Sequence, residues 1–307
     1  MEKSLYLHVG HGKTGSSYIQ SILSTHRDKL KEDLSILYPV LESDRSSEGK
    51  ISSGNGSIFL QNPGDVLHVC RGNEDLSTLY SSEFLFALER KWLNRKNILS
   101  LKEHYDNIKI LLFVRNPDEM LSSSYQQAVK RSGYTGTIAE YIEKFQFYRS
   151  VEVFIKKSLE NPELELTVYN YSLCKKRISK VISEWMGSKN TYSVPYPVVN
   201  RSLTFAELVF QQEVNKVFGK SGDLFSDLVC EELPDLKADT ILPPASSWRA
   251  FIERNKGTIS EINGLIPASQ ALQLEENLVQ DLEPQLSLNV DQIRIIARSM
   301  LPKLMRV

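Results

Sequence analysis

The run Ser4-Leu5-Tyr6-Leu7-His8-Val9 stops at Gly10-His11-Gly12-Lys13-Thr14-Gly15, and no other feature constrains the fold as much. The apolar run is β-prone and the glycines permit a tight turn. From Ser16 onward Tyr18, Ile19, Ile22 and Leu23 recur at helical spacing until the pattern ends near His26. The order predicted is strand, glycine-rich loop, helix. Such a loop sets backbone N–H groups, a lysine and hydroxyls at a helix N-terminus, which is how proteins hold phosphate or sulfate. The plainer alternative is a tight turn with a solvated Lys13.

The same strand-to-helix change recurs along the chain. Ser77 to Ser81 reads as a strand running into a helix from Phe84 to Trp92, and Ile108 to Val114 as a strand running into a helix from Pro117 to Arg131. The second of these strands is apolar on both faces, as buried parallel strands are. Leu164 to Tyr169 is a further strand, followed by a helix from Cys174 to Met186 with Ile178, Val181, Ile182 and Trp185 on one face. Alternation of this kind predicts an α/β fold, three layers around a central parallel sheet. Residues 43 to 64 are dense in serine and glycine and read as a long loop, of the kind that is usually functional. Beyond Asn200 the pattern turns helical. The division expected is an α/β domain over 1–220 and a helical C-terminal extension or cap over 221–307.

Composition removes several classes of function. Lys plus Arg number 37 against 38 Asp plus Glu, a net charge of −1 that argues against a dedicated nucleic-acid binder. Cys70, Cys174 and Cys230 form no C-x-x-C pair, so neither a disulfide framework nor a zinc site is written in the chain. Each reads as a small buried hydrophobe in a reduced compartment. The acid-bearing start Met1-Glu2-Lys3-Ser4 is no signal peptide, and the longest apolar stretch, around Ile110 to Val114, is far short of the ~20 residues of a membrane span. A soluble, cytoplasmic protein is expected.

The first loop does not have the spacing of a nucleotide-triphosphate loop, G-x-x-x-x-G-K-[ST], because Leu7 stands where the first glycine belongs. The strand ending at Val114 is followed by Arg115 rather than a magnesium-binding Asp. A kinase is therefore the weaker enzyme reading, and a non-catalytic nucleotide-binding or scaffold protein is the alternative from another class. The segment Arg115-Asn116-Pro117 opens the following helix, and Ser123 lies eight residues after the arginine. A guanidinium fork suits a phosphate, and a helix-borne serine can donate to the same oxygens. The bland alternative pairs Arg115 with Asp118 or Glu119.

Lys13-Thr14-Gly15-Ser16-Ser17 after a short strand, together with Arg115-Asn116-Pro117 and Ser123 after an apolar one, resembles the sulfotransferases that use 3′-phosphoadenosine 5′-phosphosulfate (PAPS), especially bacterial carbohydrate (glycan) members. The resemblance covers about residues 4 to 220. It departs at Gly12, where the family often has His or Pro. It implies a P-loop-like fold and transfer of a sulfuryl group from PAPS to a hydroxyl, leaving adenosine 3′,5′-bisphosphate (PAP), with no metal. It implies that Lys13, Thr14, Gly15, Ser16 and Ser17 hold the 5′-phosphosulfate, and that Arg115 and Ser123 hold the 3′-phosphate. Arg201, in the late segment Val199 to Leu203, would approach the cofactor. The acceptor implied is a glycan or glycoconjugate, which also suits the polar 43–64 segment better than an aromatic acceptor would.

Catalytic candidates follow from placement. Lys13 would neutralise charge on the leaving phosphate. Glu83 follows a predicted strand, where α/β enzymes place reacting groups, and is the candidate general base. Its plainer reading has Ser82 capping the next helix and Glu83 complementing the helix dipole. His11 in the cradle loop is the other candidate base. His8 reads as a strand residue, and His26, His68 and His104 have no motif around them.

Overall fold

A computed structural model describes residues 2–39, 54–61, 73, 75–194, 201–222, 225–276 and 287–304. The chain divides into two compact units, one made of Met1–Asn116, Phe147–Val198 and Gly257–Leu272, the other of Pro117–Gln146, Val199–Lys256 and Gln273–Val307.

The first unit is built on five parallel strands, β1 Ser4–Val9, β2 Ile36–Leu37, β3 Ser77–Ser82, β4 Asn107–Val114 and β5 Leu164–Asn170, in the order β2-β3-β1-β4-β5. Every residue of β1 and of β3 is buried, so both faces of the sheet are covered. On one face Tyr6, Leu79, Leu111 and Phe113 meet Ile19, Ile22 and Leu23 of α1 (Ser16–Thr25) and Ile178, Val181 and Ile182 of α11 (Ile178–Trp185). On the other, Tyr80 packs on Phe59 of α3 (Gly56–Gln61), which touches Trp92 of α5 (Glu89–Trp92), and Trp92 in turn meets Phe154 of α9 (Phe147–Leu159). This is an α/β fold around a central parallel sheet. Its remaining helices are α2 Arg27–Leu34, α4 Glu83–Ala87, α6 Arg95–Lys102 and α10 Tyr171–Cys174.

Two sequence expectations change here. The helix expected over Phe84 to Trp92 is broken at Leu88 into α4 and α5, because the Trp92 indole N–H donates to the Leu85 carbonyl at 2.8 Å and displaces the helical pattern. The segment 43–64 is not all loop: α3 lies inside it, while 43–53 and 62–64 fall outside the described residues. The apolar side of α3, not the serines around it, decides this.

The second unit is helical: α7 Pro117–Ser132, α8 Ile138–Glu143, α12 Phe205–Phe218, α13 Ser226–Glu232 and α15 Val290–Leu304, together with the first turns of α14 Ala245–Leu265. Tyr125, Val129, Leu203, Leu208, Cys230 and Ile241 form one of its apolar clusters, and Phe225, Val229 and Ile295 another. Cys174 and Cys230 are buried free thiols, while Cys70 lies outside the described residues. Among the described residues no helix is long and apolar enough to cross a membrane.

Candidate functional site

In a sheet of this order the chain leaves β1 toward one edge and leaves β4 toward the other, and the carboxyl ends of the strands at such a reversal are where open α/β sheets bind ligands. The segments leaving β1, β3 and β4 carry Lys13, Glu83 and Arg115. The β1 segment is tied to β3 by the Gly10 N–H, which donates to the Ser82 carbonyl at 3.0 Å. The loop then turns through two left-handed residues, Lys13 (φ 67°) and Gly15 (φ 81°). The Thr14 hydroxyl staples it by donating to the His11 carbonyl. Gly15 is the N-cap of α1, so no side chain caps the first N–H groups of that helix, and its first turn holds no acidic residue. Among the described residues, then, neither a side-chain cap nor a first-turn acid compensates the positive end of the helix dipole, which suits an anion.

Arg115 joins this loop from β4. One guanidinium nitrogen, Nη1, donates to the Lys13 carbonyl at 2.9 Å, and the guanidinium carbon lies 5.3 Å from the centroid of the Tyr171 ring. The two motifs, a hundred residues apart in sequence, thus meet around Lys13. Glu83 comes from the end of β3. Burial raises its carboxyl pKa above the ordinary value and the nearby positive charge of Lys13 opposes that rise. The residue as a whole is exposed to solvent. Ser82 does cap α4, accepting from the Phe84 N–H at 3.1 Å, which leaves Glu83 in the first turn beside Lys13.

The remaining sequence candidates divide. Lys13, Gly15 and Ser17 are half-buried in the loop. Thr14 and Ser16 are buried side chains: the first hydroxyl is spent on the loop, and the second packs against Gly10. Thr14 can offer a ligand its backbone N–H, while Ser16 Oγ is buried with no hydrogen-bond partner among the described residues. Ser123 is half-buried on α7, in the second unit.

Two candidates sit in surroundings that the sequence did not suggest. The His11 ring is 1% exposed, wedged between Phe86 (4.7 Å between centroids) and Phe147 (3.7 Å), and neither of its nitrogens has a hydrogen-bond partner. Desolvation lowers its pKa to about 3, so the imidazole is held neutral as a weak base. Arg201 is not turned toward a ligand. Its Nη1 and Nη2 grip Glu207 at 2.8 and 2.7 Å, and its other donors reach the carbonyls of Leu233 (2.7 Å), Ser202 (3.0 Å) and Val229 (3.2 Å). All five N–H groups are used inside the second unit.

Sequence reasoning missed Tyr148, Asn170, Tyr171 and Ser172, which surround Arg115. The Tyr148 hydroxyl donates to the Arg115 carbonyl at 2.8 Å, and the Asn116 N–H donates to Ser172 Oγ at 3.1 Å. The usable signal was positional: Asn170 and Tyr171 stand at the carboxyl end of a predicted strand. Among the described residues, no group of three or more His, Cys, Asp or Glu could hold a metal ion.

No family model matches the sequence, and no curated protein matches it. Among solved structures the chain is similar to the crystal structure of a sulfotransferase from Alicyclobacillus acidocaldarius, with 16% identity, 77% of this chain and 98% of that chain covered, and a TM-score of 0.39. At that identity no residue role passes from one chain to the other.

Proposed function

We propose that this protein is a PAPS-dependent sulfotransferase that moves a sulfuryl group to a hydroxyl of a carbohydrate acceptor, on a three-layer, P-loop-like α/β core. The reading is carried by one observation: Lys13, held left-handed in an uncapped loop, receives Arg115 on its carbonyl and lies beside Glu83. Two cationic groups and one carboxylate then stand at the carboxyl ends of neighbouring strands, a set that suits sulfuryl transfer.

The donor is a substrate with two anionic ends. The loop N–H groups, Lys13 and Ser17 take the phosphosulfate, and Arg115 takes the 3′-phosphate, where a guanidinium fork gives charge-assisted bonds. In the transfer the acceptor oxygen forms a bond to sulfur as the bond from sulfur to the 5′-phosphate oxygen breaks. Glu83 accepts the acceptor's hydroxyl proton, and the Lys13 ammonium neutralises the charge left on the departing phosphate of PAP. Positioning and fixed charge carry such a reaction. The polar composition of residues 43–64 supports a carbohydrate acceptor.

Two measurements test this. Transfer of ³⁵S from labelled PAPS to a panel of glycans reads the activity, and no label in any hydroxyl acceptor would sink it. Calorimetry with PAP reads the site: Arg115→Ala should weaken PAP by about tenfold to more than a hundredfold, the equivalent of ~1.5 to 3 kcal/mol for a hydrogen bond to a charged group. Adenosine 5′-monophosphate, which lacks the 3′-phosphate, should bind wild type and variant alike.

A further inference from the structure

The Arg115 backbone is held from both sides. The Tyr148 hydroxyl takes its carbonyl, and Asn116 is fixed by Ser172 Oγ (3.1 Å) and by Asn170 Nδ2, which donates to Asn116 Oδ1 at 2.8 Å. Asn170 is wholly buried and is itself anchored, with Nδ2 also donating to the Ala271 carbonyl (3.0 Å) and its backbone N–H donating to Gln270 Oε1 (3.0 Å). These bonds place the main chain and leave the long arginine side chain to be oriented by something else. Among the groups that touch it are the Lys13 carbonyl, 2.9 Å from Nη1, and the Tyr171 ring, 5.3 Å from the guanidinium carbon. The same ring reaches the loop. A β-carbon on Gly15 would lie 2.9 Å from Tyr171 Cε2, so the ring occupies the space a side chain at position 15 would need. Tyr171 therefore touches both motifs, the one that carries Lys13 and the one that carries Arg115.

We propose that Tyr171 is a positioning residue of the donor site: its ring backs the Lys13–Gly15 turn and holds the Arg115 guanidinium against the Lys13 carbonyl, so that the fork is set before the anion arrives. The proposal rests on reading this loop as the donor site. Its physical basis is that a planar cation over an aromatic face is attracted by the ring quadrupole, and that a ring fixed at the start of α10 removes the rotamer freedom an arginine would otherwise lose on binding. The contacts with Arg115 and Gly15 are made by the ring, so phenylalanine should serve and an aliphatic side chain should not.

The test is a double-mutant cycle on the full chain, with PAP and adenosine 5′-monophosphate as probes in calorimetry. Tyr171→Leu should weaken PAP roughly three- to thirtyfold, the range a cation–π contact spans, and change the monophosphate little. Tyr171→Phe should stay within about twofold of wild type, since the ring face is retained. In an Arg115→Ala background Tyr171→Leu should cost less than about twofold, because the group it positions is gone. A loss of equal size in both backgrounds would assign Tyr171 to general packing, and no loss in either would overturn the proposal. A crystal structure of Tyr171→Leu decides the point without any ligand: the 2.9 Å bond from Arg115 to the Lys13 carbonyl should be lost, and its survival intact would refute the positioning role. Wild type that fails to bind PAP would overturn the functional reading, while that crystal structure would still judge Tyr171.

Discussion

Lys13 carries a cost that its neighbours do not. A non-glycine residue in the left-handed region loses on the order of 1 to 2 kcal/mol, and Lys13 sits at φ 67° in a loop whose other left-handed residue is a glycine. Lys13→Gly relieves that strain and keeps the turn, so thermal melts should place it at or above wild type while the turnover number falls steeply. A less stable variant with unchanged turnover would remove both the strain and the chemistry from Lys13. Glu83 supplies a pH signature. Burial raises its pKa and Lys13 lowers it, the burial effect being the larger, so the folded protein favours the protonated carboxyl. Its contribution to stability is therefore full at low pH and is lost as pH rises through the raised pKa. Base catalysis has the opposite sense and turns on over the same window. The ascending limb of kcat/KM against pH should lie above the ordinary carboxylate range, and Lys13→Gly should move it higher still, because the opposing charge is gone. A limb unmoved by Lys13→Gly would break the pairing of these two residues.

At the scale of elements, β2 is only two residues long, too short to leave a sequence signal, yet β3 runs for six. The Asn55 side chain makes up the difference. Its Nδ2 donates to the Leu79 carbonyl (3.1 Å) and the Pro39 carbonyl (2.7 Å), while its Oδ1 accepts from the Ser81 N–H (2.7 Å), so an amide continues the edge where β2 stops. Gly54 allows this approach: it is left-handed (φ 73°), and a β-carbon there would lie 1.8 Å from the Ser81 carbonyl oxygen. Asn55→Ala leaves the buried Ser81 N–H without that acceptor and should cost about 1 to 3 kcal/mol in urea denaturation. Gly54→Ala should cost more, since backbone must move. An Asn55→Ala midpoint equal to wild type would mean that the edge is completed by other groups.

For the whole molecule, the question is what holds the helical unit together. Arg201 and Glu207 are 7% and 0% exposed at the side chain, and Gln292 of α15 donates to Glu207 at 2.7 Å. Burial alone would raise the Glu207 pKa, but its hydrogen bonds from Arg201, Thr204 and Gln292 and the charge of Arg201 bring it below the ordinary value. Breaking such a pair strands a buried charge. Arg201→Met should therefore lose about 3 to 5 kcal/mol, and adding Glu207→Leu should recover much of it. Chemical denaturation of the single and double variants checks this, with PAP affinity measured where both stay folded. A selective loss of PAP binding at unchanged stability would return Arg201 to the donor site.

Local sequence determined the strands and the loop. β1 and β4 follow from apolar runs, β3 and β5 from β-prone segments that lead into helical repeats, and the turn after β1 follows from glycines placed between a strand and a helical repeat. These are short-range effects, decided within a few residues by sterics and by which faces need burial. The pairing of Lys13 with Arg115 and Glu83 was legible only as a consequence of parallel strands ending together. Which nitrogen meets which carbonyl was not legible. Tertiary structure alone decided that the His11 ring is desolvated, that Arg201 is bound by Glu207, that Asn55 extends an edge and that Tyr171 backs the loop. Each of these depends on neighbours brought from far along the chain, and burial and hydrogen-bond satisfaction are properties of the assembled surroundings rather than of the residue or its spacing.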